Sequence, residues 1–389
     1  GVAIGILTAI RQYSGLDYAV TFLTFIFFSL PVFWAAVLLK EYLAIGFNDW
    51  IAEPQLPPLQ IALIAVAFAF ILQVVLGGSW KRRAITFLVT AIVIGGGLAA
   101  MLATDFFRTP QLGYAGVAVL TIGLALSATA MTVGLDRREV LLPALITAGF
   151  VVVLQFALVN VFVYYMNWWI LILGALAAIA VPWAIGARLG GRYRSAAIGV
   201  SITTGLGGAA LTVVDHLFRS WPGFLDKKPR PISTIGSQTP NFSGTFWETF
   251  LDLSTQLLLP TLLLALISLA SYSRYTRSSM LEVGRQDYIR TARAKGAPER
   301  VVIFRHAFRN ALIPIATIAA FDFAGLIGGA VITETVFGWK GMGELFRTGL
   351  NNADPAPVMA FFLVTGAAAI FFNLLADIFY AVLDPRIRV

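Results

Sequence analysis

An all-α, polytopic transmembrane bundle of about ten spans plus an N-terminal span fragment is the fold class this sequence predicts, and three observations predict it. The composition comes first: 58% of the 389 residues are hydrophobic and only 12% are charged, where a soluble domain is about one-quarter charged. Second, apolar runs recur that are long enough to cross a hydrocarbon core of roughly 30 Å, which takes about 20 helical residues. Third, no alternating β-barrel pattern is visible, so each run must be a helix whose backbone polar groups are satisfied internally.

The same composition excludes several chemistries. There is no Cys, and the two His, His216 and His306, lie far apart with no acidic cluster around either. Disulfides, thiolate nucleophiles and metal sites are therefore not expected. No GxxxxGK[ST] loop occurs, so the chain is not expected to hydrolyse ATP, and no catalytic residue or cofactor of its own is assigned. The net charge of +8 reports orientation rather than nucleic-acid binding, because the basic residues concentrate in short loops.

In chain order, GVAIGILTAI at residues 1–10 is too short to span and reads as the tail of a span that begins before it. A signal-peptide reading is not expected, since it needs a basic stretch before the apolar one. Spans then follow near 18–39, 59–76, 84–103, 112–134, 140–166, 168–187, 195–214, 256–272, 311–333 and 357–383. Lys81, Arg82 and Arg83, then Arg137 and Arg138, then Arg188, Arg192 and Arg194 occupy loops two spans apart. Those loops are cytoplasmic by the positive-inside rule, while TDFFRTPQ and the aromatic YYMNWW lie outside. The 215–255 stretch is then an outer cap, and the 290–310 segment and the C-terminal DPRIRV are inside.

The six spans between 59 and 214 hold no ionisable residue in their apolar cores, Gln73, Gln155 and Asn160 being the polar exceptions. A carrier coupled to an ion needs such groups, so a packing or partner-contacting role is expected for these spans. The small-residue runs GGG at 95–97 and GLGG at 205–208 suit close helix packing. Pro31, Pro260 and Pro314 are expected kinks.

RTARAKGAPERVVIFRHAFRN, at 290–310, carries six Lys or Arg against one Glu. Good helix formers lead to Gly296, which suits a left-handed helix-closing residue, and Pro298 starts a second helix with Glu299 in its first turn. Val301, Phe304 and Phe308 are expected to share its apolar face. The segment either lies on anionic headgroups or docks another protein, the small residues Ala292, Ala294, Gly296 and Ala297 favouring close approach. Asp322, mid-span between Phe321 and Phe323, is a candidate for the translocation path or for an interhelical hydrogen bond. Glu334 and Trp339 stand at the outer mouth.

The run TRSSMLEVGRQDYIRTARAKGAPERVVIFRHAFRNALIPI resembles the cytoplasmic EAA loop of ABC importer permeases, specifically those of the oligopeptide/dipeptide family. GGAVITETVFGWKGMGEL, NLLADIFYAVLDPRIRV and RQYSGLDYAVTFLTFIFFSLPVFW resemble further segments of that family. Where it shows Pro-Gly-Leu-Gly, this chain has Lys340-Gly341-Met342-Gly343. The resemblance implies a permease core split into 1–40 and 256–389, with a coupling loop at 274–310, a six-span insertion at 41–214 and the outer cap at 215–255. The family's first span, an outer segment and most of the second span would precede residue 1.

It further implies that Arg290, Thr291, Ala292, Arg293, Ala294, Lys295 and Gly296 form the tip of a coupling helix, and that the 286–304 loop docks on an ATPase. Glu334 and Trp339 would then meet a binding protein. The implied function is ATP-driven import of oligopeptides or dipeptides by alternating access across a bacterial cytoplasmic membrane. Its partners would be a second permease subunit, two ATPases that bind ATP and Mg, an extracytoplasmic substrate-binding protein and the lipid bilayer. Oligosaccharides or metal chelates are the alternative cargo, and an ATP-independent secondary transporter is the rival class.

Overall fold

The computed structural model of the chain describes residues 1–383, so the DPRIRV end lies outside the described residues. Among the described residues, nine helices are long and apolar enough to cross a membrane, or ten if a bent pair counts as one.

That pair is where the structure departs first from the run read at 18–39. Helix α1 (Val2–Ile10) leads to Ser14, whose hydroxyl accepts the Asp17 amide at 3.2 Å and caps α2 (Gly15–Ser29). Pro31 then forbids continuation: Leu30 before it is extended, at φ −73° and ψ 126°, and the following segment leaves at 105°. At 1.5 Å per residue α2 is only about 22 Å long. Its continuation is α3 (Val32–Leu38), a π-helical stretch at Leu39–Ile45, and α4 (Gly46–Ala52).

The inserted region has two parts. Helices α5 (Pro58–Leu76) and α6 (Trp80–Ala103) pair as a hairpin, and no residue of α6 is buried. Helices α7 (Gly113–Thr132), α8 (Arg138–Ala157) and α9 (Trp168–Leu189) instead pack around α10 (Arg194–Lys227). The two glycine runs differ accordingly. A Cβ on Gly205 would stand 2.7 Å from the Ala178 carbonyl oxygen, whereas around Gly96 and Gly97 there is open space. Small residues let α9 and α10 approach closely in the first case only. Gly205→Leu is therefore expected to destabilise the bundle by about 1–3 kcal/mol through overpacking, and Gly96→Leu by under about 0.5 kcal/mol. Thermal melting of the two variants in detergent checks the contrast.

Helix α10 continues past the expected span end, with Pro222 inside it, so the irregular part of the cap is only 228–245. Buried Asp215 on α10 accepts the amides of Leu112 and Gly113 at 3.1 and 2.8 Å, capping α7, and pairs with Arg219 at 2.8 Å.

The remaining helices follow α11 (Phe246–Gly284), which opens with a Thr245/Glu248 capping box. They are α12 (Asp287–Ala294), α13 (Glu299–Val301), α14 (Phe308–Gly328), α15 (Val331–Phe337), α16 (Met342–Asn351) and α17 (Pro355–Leu383). Pro260 and Pro314 lie inside α11 and α14. Trp247 joins this core to the insertion: its indole donates to the Phe162 carbonyl at 2.8 Å, and His216 stacks between Phe162 and Trp247.

The cap is tied down by its polar groups. Asn48 and Ile232 exchange two hydrogen bonds, at 2.8 and 2.9 Å, and the Gly236 amide donates to the Phe337 carbonyl at 2.8 Å. Lys228 pairs with Asp252 at 2.8 Å, and Asp252 also accepts from the Thr239 hydroxyl at 2.6 Å and from Gln256 at 3.0 Å. A segment tied by this many polar contacts to the helices around it does not behave as a linker.

Candidate coupling site

The charged elbow after α11 forms from local rules. Helix α11 ends at Gly284, and Arg285 and Gln286 separate it from α12, where the sequence pattern reads as one uninterrupted helix. The Gly296 amide donates to the Arg293 carbonyl at 2.9 Å and the Ala297 amide to the Ala292 carbonyl at 3.3 Å. This is the six-to-one closure of a Schellman motif, and Gly296 supplies its left-handed residue at φ +75°. Pro298 follows as the cap of α13, its carbonyl accepting from Val301 and Val302 at 2.8 and 3.1 Å.

One side chain anchors α12. Ile289 is fully buried in one cluster with Ile6, Met280, Val302, Ala307 and Ala311, and α12 packs chiefly on the Val302–Ala307 stretch. The other face is open: Arg290, Thr291, Arg293, Ala294, Lys295 and Gly296 are exposed, and Ala292 is half-buried against the core. Across the elbow, Arg293 grips Glu299 with two contacts, at 3.2 and 2.8 Å. That carboxylate pushes the Arg293 pKa up by its hydrogen bonds. The pair is solvent-exposed, so it orients the bend more than it stabilises it.

Val301 and Phe304 do not form the expected buried face: they are 37% and 53% exposed, and Val302 and Ala307 are buried in their place. The reason is a π-helical stretch over Val302–Ala307. Its wider turn shifts the register by one residue relative to an α-helical reading.

The other sequence candidates separate. Asp322 is exposed on α14 between exposed Phe321 and Phe323, and the Tyr272 hydroxyl of α11 is the group that approaches it. A carboxylate on the open face of a membrane helix must meet water or a partner. Glu334 turns inward: it accepts the Glu344 amide at 2.9 Å, capping α16. A Cβ on Gly341 would stand 2.6 Å from the Glu334 carboxyl carbon, which explains the glycine in Lys340-Gly341-Met342-Gly343. Trp339 is half-buried against the outer cluster of Ala36, Ala44, Leu259, Leu263 and Phe337.

Three charged side chains escaped the sequence reading. Asp17, 4% exposed at its side chain, holds Arg277 through two bonds at 2.9 and 3.0 Å. One turn before Arg277, the Arg274 guanidinium lies over the rings of Phe25 and Phe28, at 5.1 and 4.3 Å. The available signal was an Arg at i and i+3 following an apolar run, together with an Asp at the start of another.

With this geometry in hand, residues 201–389 match a family described as binding-protein-dependent transport system inner membrane component. The match begins within α10. Over 154 residues the chain is 46% identical to an oligopeptide transport system permease protein of Mycobacterium bovis, covering 40% of this chain and 47% of that protein. A dipeptide transport system permease protein of Alkalihalophilus pseudofirmus is 41% identical over 171 residues, 43% of this chain and 51% of its own length. An oligopeptide transport system permease protein of Bacillus subtilis is 47% identical over 132 residues, 34% and 42% of the two chains. The chain thus spans about half the length of the curated relatives it matches. With its apolar helices, it is a multi-pass protein of the cytoplasmic membrane.

Proposed function

We propose, from the match of residues 201–389 to the binding-protein-dependent transport system inner membrane components, that this chain is one permease subunit of an ATP-driven importer of oligopeptides or dipeptides. It is a transport subunit rather than an enzyme. The observation that carries the reading is α12: an exposed basic helix held by one buried isoleucine and closed by a glycine elbow. A helix so mounted passes a push from a docked protein through Val302–Ala307 into the core, because Ile289 belongs to the cluster that this stretch shares with residues of α1, α11 and α14. Closure of two partner ATPases around ATP and Mg would bias these helices between inward-open and outward-open arrangements. The exposed Asp322 then faces the translocation path or the second permease subunit. A substrate-binding protein would deliver cargo at the cap. Trp339 and Glu334 shape that outer surface from within, by packing and by capping α16.

The test is purification of the tagged chain from its native membrane in mild detergent, with mass spectrometry of what accompanies it. Two ATPases, a second permease and a binding protein are expected, and the binding protein is then assayed for peptide and oligosaccharide. A chain recovered alone from several mild detergents would overturn the coupling role and favour a secondary carrier.

A further inference from the structure

A cavity of about 590 Å³ lies between α1, α2 and α11, and nothing above uses it. Its size is that of a small-ligand site. Its wall runs from Thr24 and Ser273 down to Arg285 and Gln286, at the basic, cytoplasmic end of α11. Three arginines line it, Arg274, Arg277 and Arg285, against Glu282. Asp17 neutralises Arg277, so three cations less two anions leave one positive charge.

Of the two lining arginines that Asp17 does not engage, Arg274 and Arg285, Arg274 is the one held by neighbouring rings. Among the described residues no carboxylate lies within ion-pair distance of it. Its guanidinium is fixed by stacking over Phe25 and Phe28, which leaves the donors on its edge free. A planar cation held by its face presents the fork that binds a carboxylate through two parallel hydrogen bonds. A cation at the end of a membrane span, without a counter-ion and facing a cavity lined by both polar and apolar groups, is costly unless it serves a ligand or a path. Arg277 is spent on Asp17, and that pair keeps α2 and α11 at the spacing the cavity requires.

We infer that this cavity is an anion site on the cytoplasmic side of the translocation route, in which Arg274 takes the terminal carboxylate of the transported peptide. The inference rests on the peptide-importer reading. It adds a requirement that the reading lacks: the cargo carries a free carboxylate.

The assay uses the importer complex in nanodiscs of phosphatidylcholine and measures equilibrium binding of trialanine against its C-terminal amide. The wild type is expected to bind the free acid at least tenfold more tightly. Arg274→Gln is expected to abolish that preference, and Arg274→Lys, which keeps the charge but loses the fork, to retain part of it and so to separate loss of the site from misassembly. Equal binding of acid and amide by the wild type, or a tenfold preference surviving in Arg274→Gln, overturns the assignment. Phosphatidylglycerol that copurifies with the wild type from native membrane and is lost from Arg274→Gln, with trialanine binding unchanged, would make the cavity a lipid site and likewise overturn it. Trialanine uptake into proteoliposomes separates the two levels. Uptake by the wild type with no carboxylate preference removes this inference alone, whereas no uptake at all removes the importer reading and the inference with it.

Discussion

Gly296→Val is expected to cut uptake at least about tenfold while the partner ATPases stay bound and continue to hydrolyse ATP. The cause is backbone strain. Gly296 sits at φ +75° and a Cβ built there meets nothing within 4 Å, so no internal clash arises. A β-branched residue in the left-handed region costs about 1–2 kcal/mol, equivalent to roughly a 5–30-fold shift between conformations. The elbow can relieve that strain only by unwinding the last turn of α12 or by rotating it away from the anchor at Ile289. Either change loosens the link between the docking surface and the core. Gly296→Asn separates the possible causes, since asparagine tolerates the left-handed region while adding comparable bulk. If Asn is well tolerated and Val is not, backbone conformation is responsible; if both fail alike, a partner surface must need the space. Uptake and ATP hydrolysis measured together in proteoliposomes decide the matter, and normal uptake by the Val variant would sink the coupling role of the elbow.

The largest loss of stability is expected at the other end of α11. The Lys228–Asp252 pair is nearly sealed, with side chains 11% and 4% exposed. Removing one member of a buried ion pair leaves an uncompensated charge and costs about 3–5 kcal/mol. Asp252→Ala is expected to cost the more, because it also strips an acceptor from Thr239 and Gln256. Lys228→Met should cost less, since those two donors still satisfy the carboxylate. The double replacement Lys228→Met with Asp252→Leu should recover the part of the loss due to the unpaired charge, because a well-packed apolar pair can stand in for a buried ion pair, while Thr239 and Gln256 still lack their acceptor. Protease sensitivity of the 228–245 segment, with thermal melting of the purified chain, reads the effect. A single Asp252→Ala variant as resistant as the wild type would show that the cap is held chiefly by its other ties, Asn48 to Ile232 and Gly236 to Phe337.

Most of the helices were legible in the sequence because a bilayer imposes one solution on a long apolar run: every backbone amide and carbonyl must find its partner within the run. The elbow was legible for a different reason. Gly296 and Pro298 act through their own backbone dihedrals, which depend on no distant residue. Three features were not legible. The π-helical stretch at Val302–Ala307 shifts the register by one residue, so that the face read at Val301 and Phe304 is exposed. Helix α10 runs on through Pro222 to Lys227, because its polar end packs on the cap and on α11 and so need not be a loop. Glu334 looked like an outward-facing charge, yet the glycines of the 341–343 turn bring the α16 amides to it.

The sequence by itself determined the class of the molecule, the order of most of its apolar helices and the glycine–proline elbow. These follow from local quantities: apolar length and the dihedral preferences of glycine and proline. Tertiary structure alone decided which charges meet. Asp17 and Arg277 stand 260 positions apart, and Arg274 finds its place only when α2 brings Phe25 and Phe28 against it. Electrostatic energy depends on distance and on local dielectric, and for residues this far apart along a chain both are set by packing.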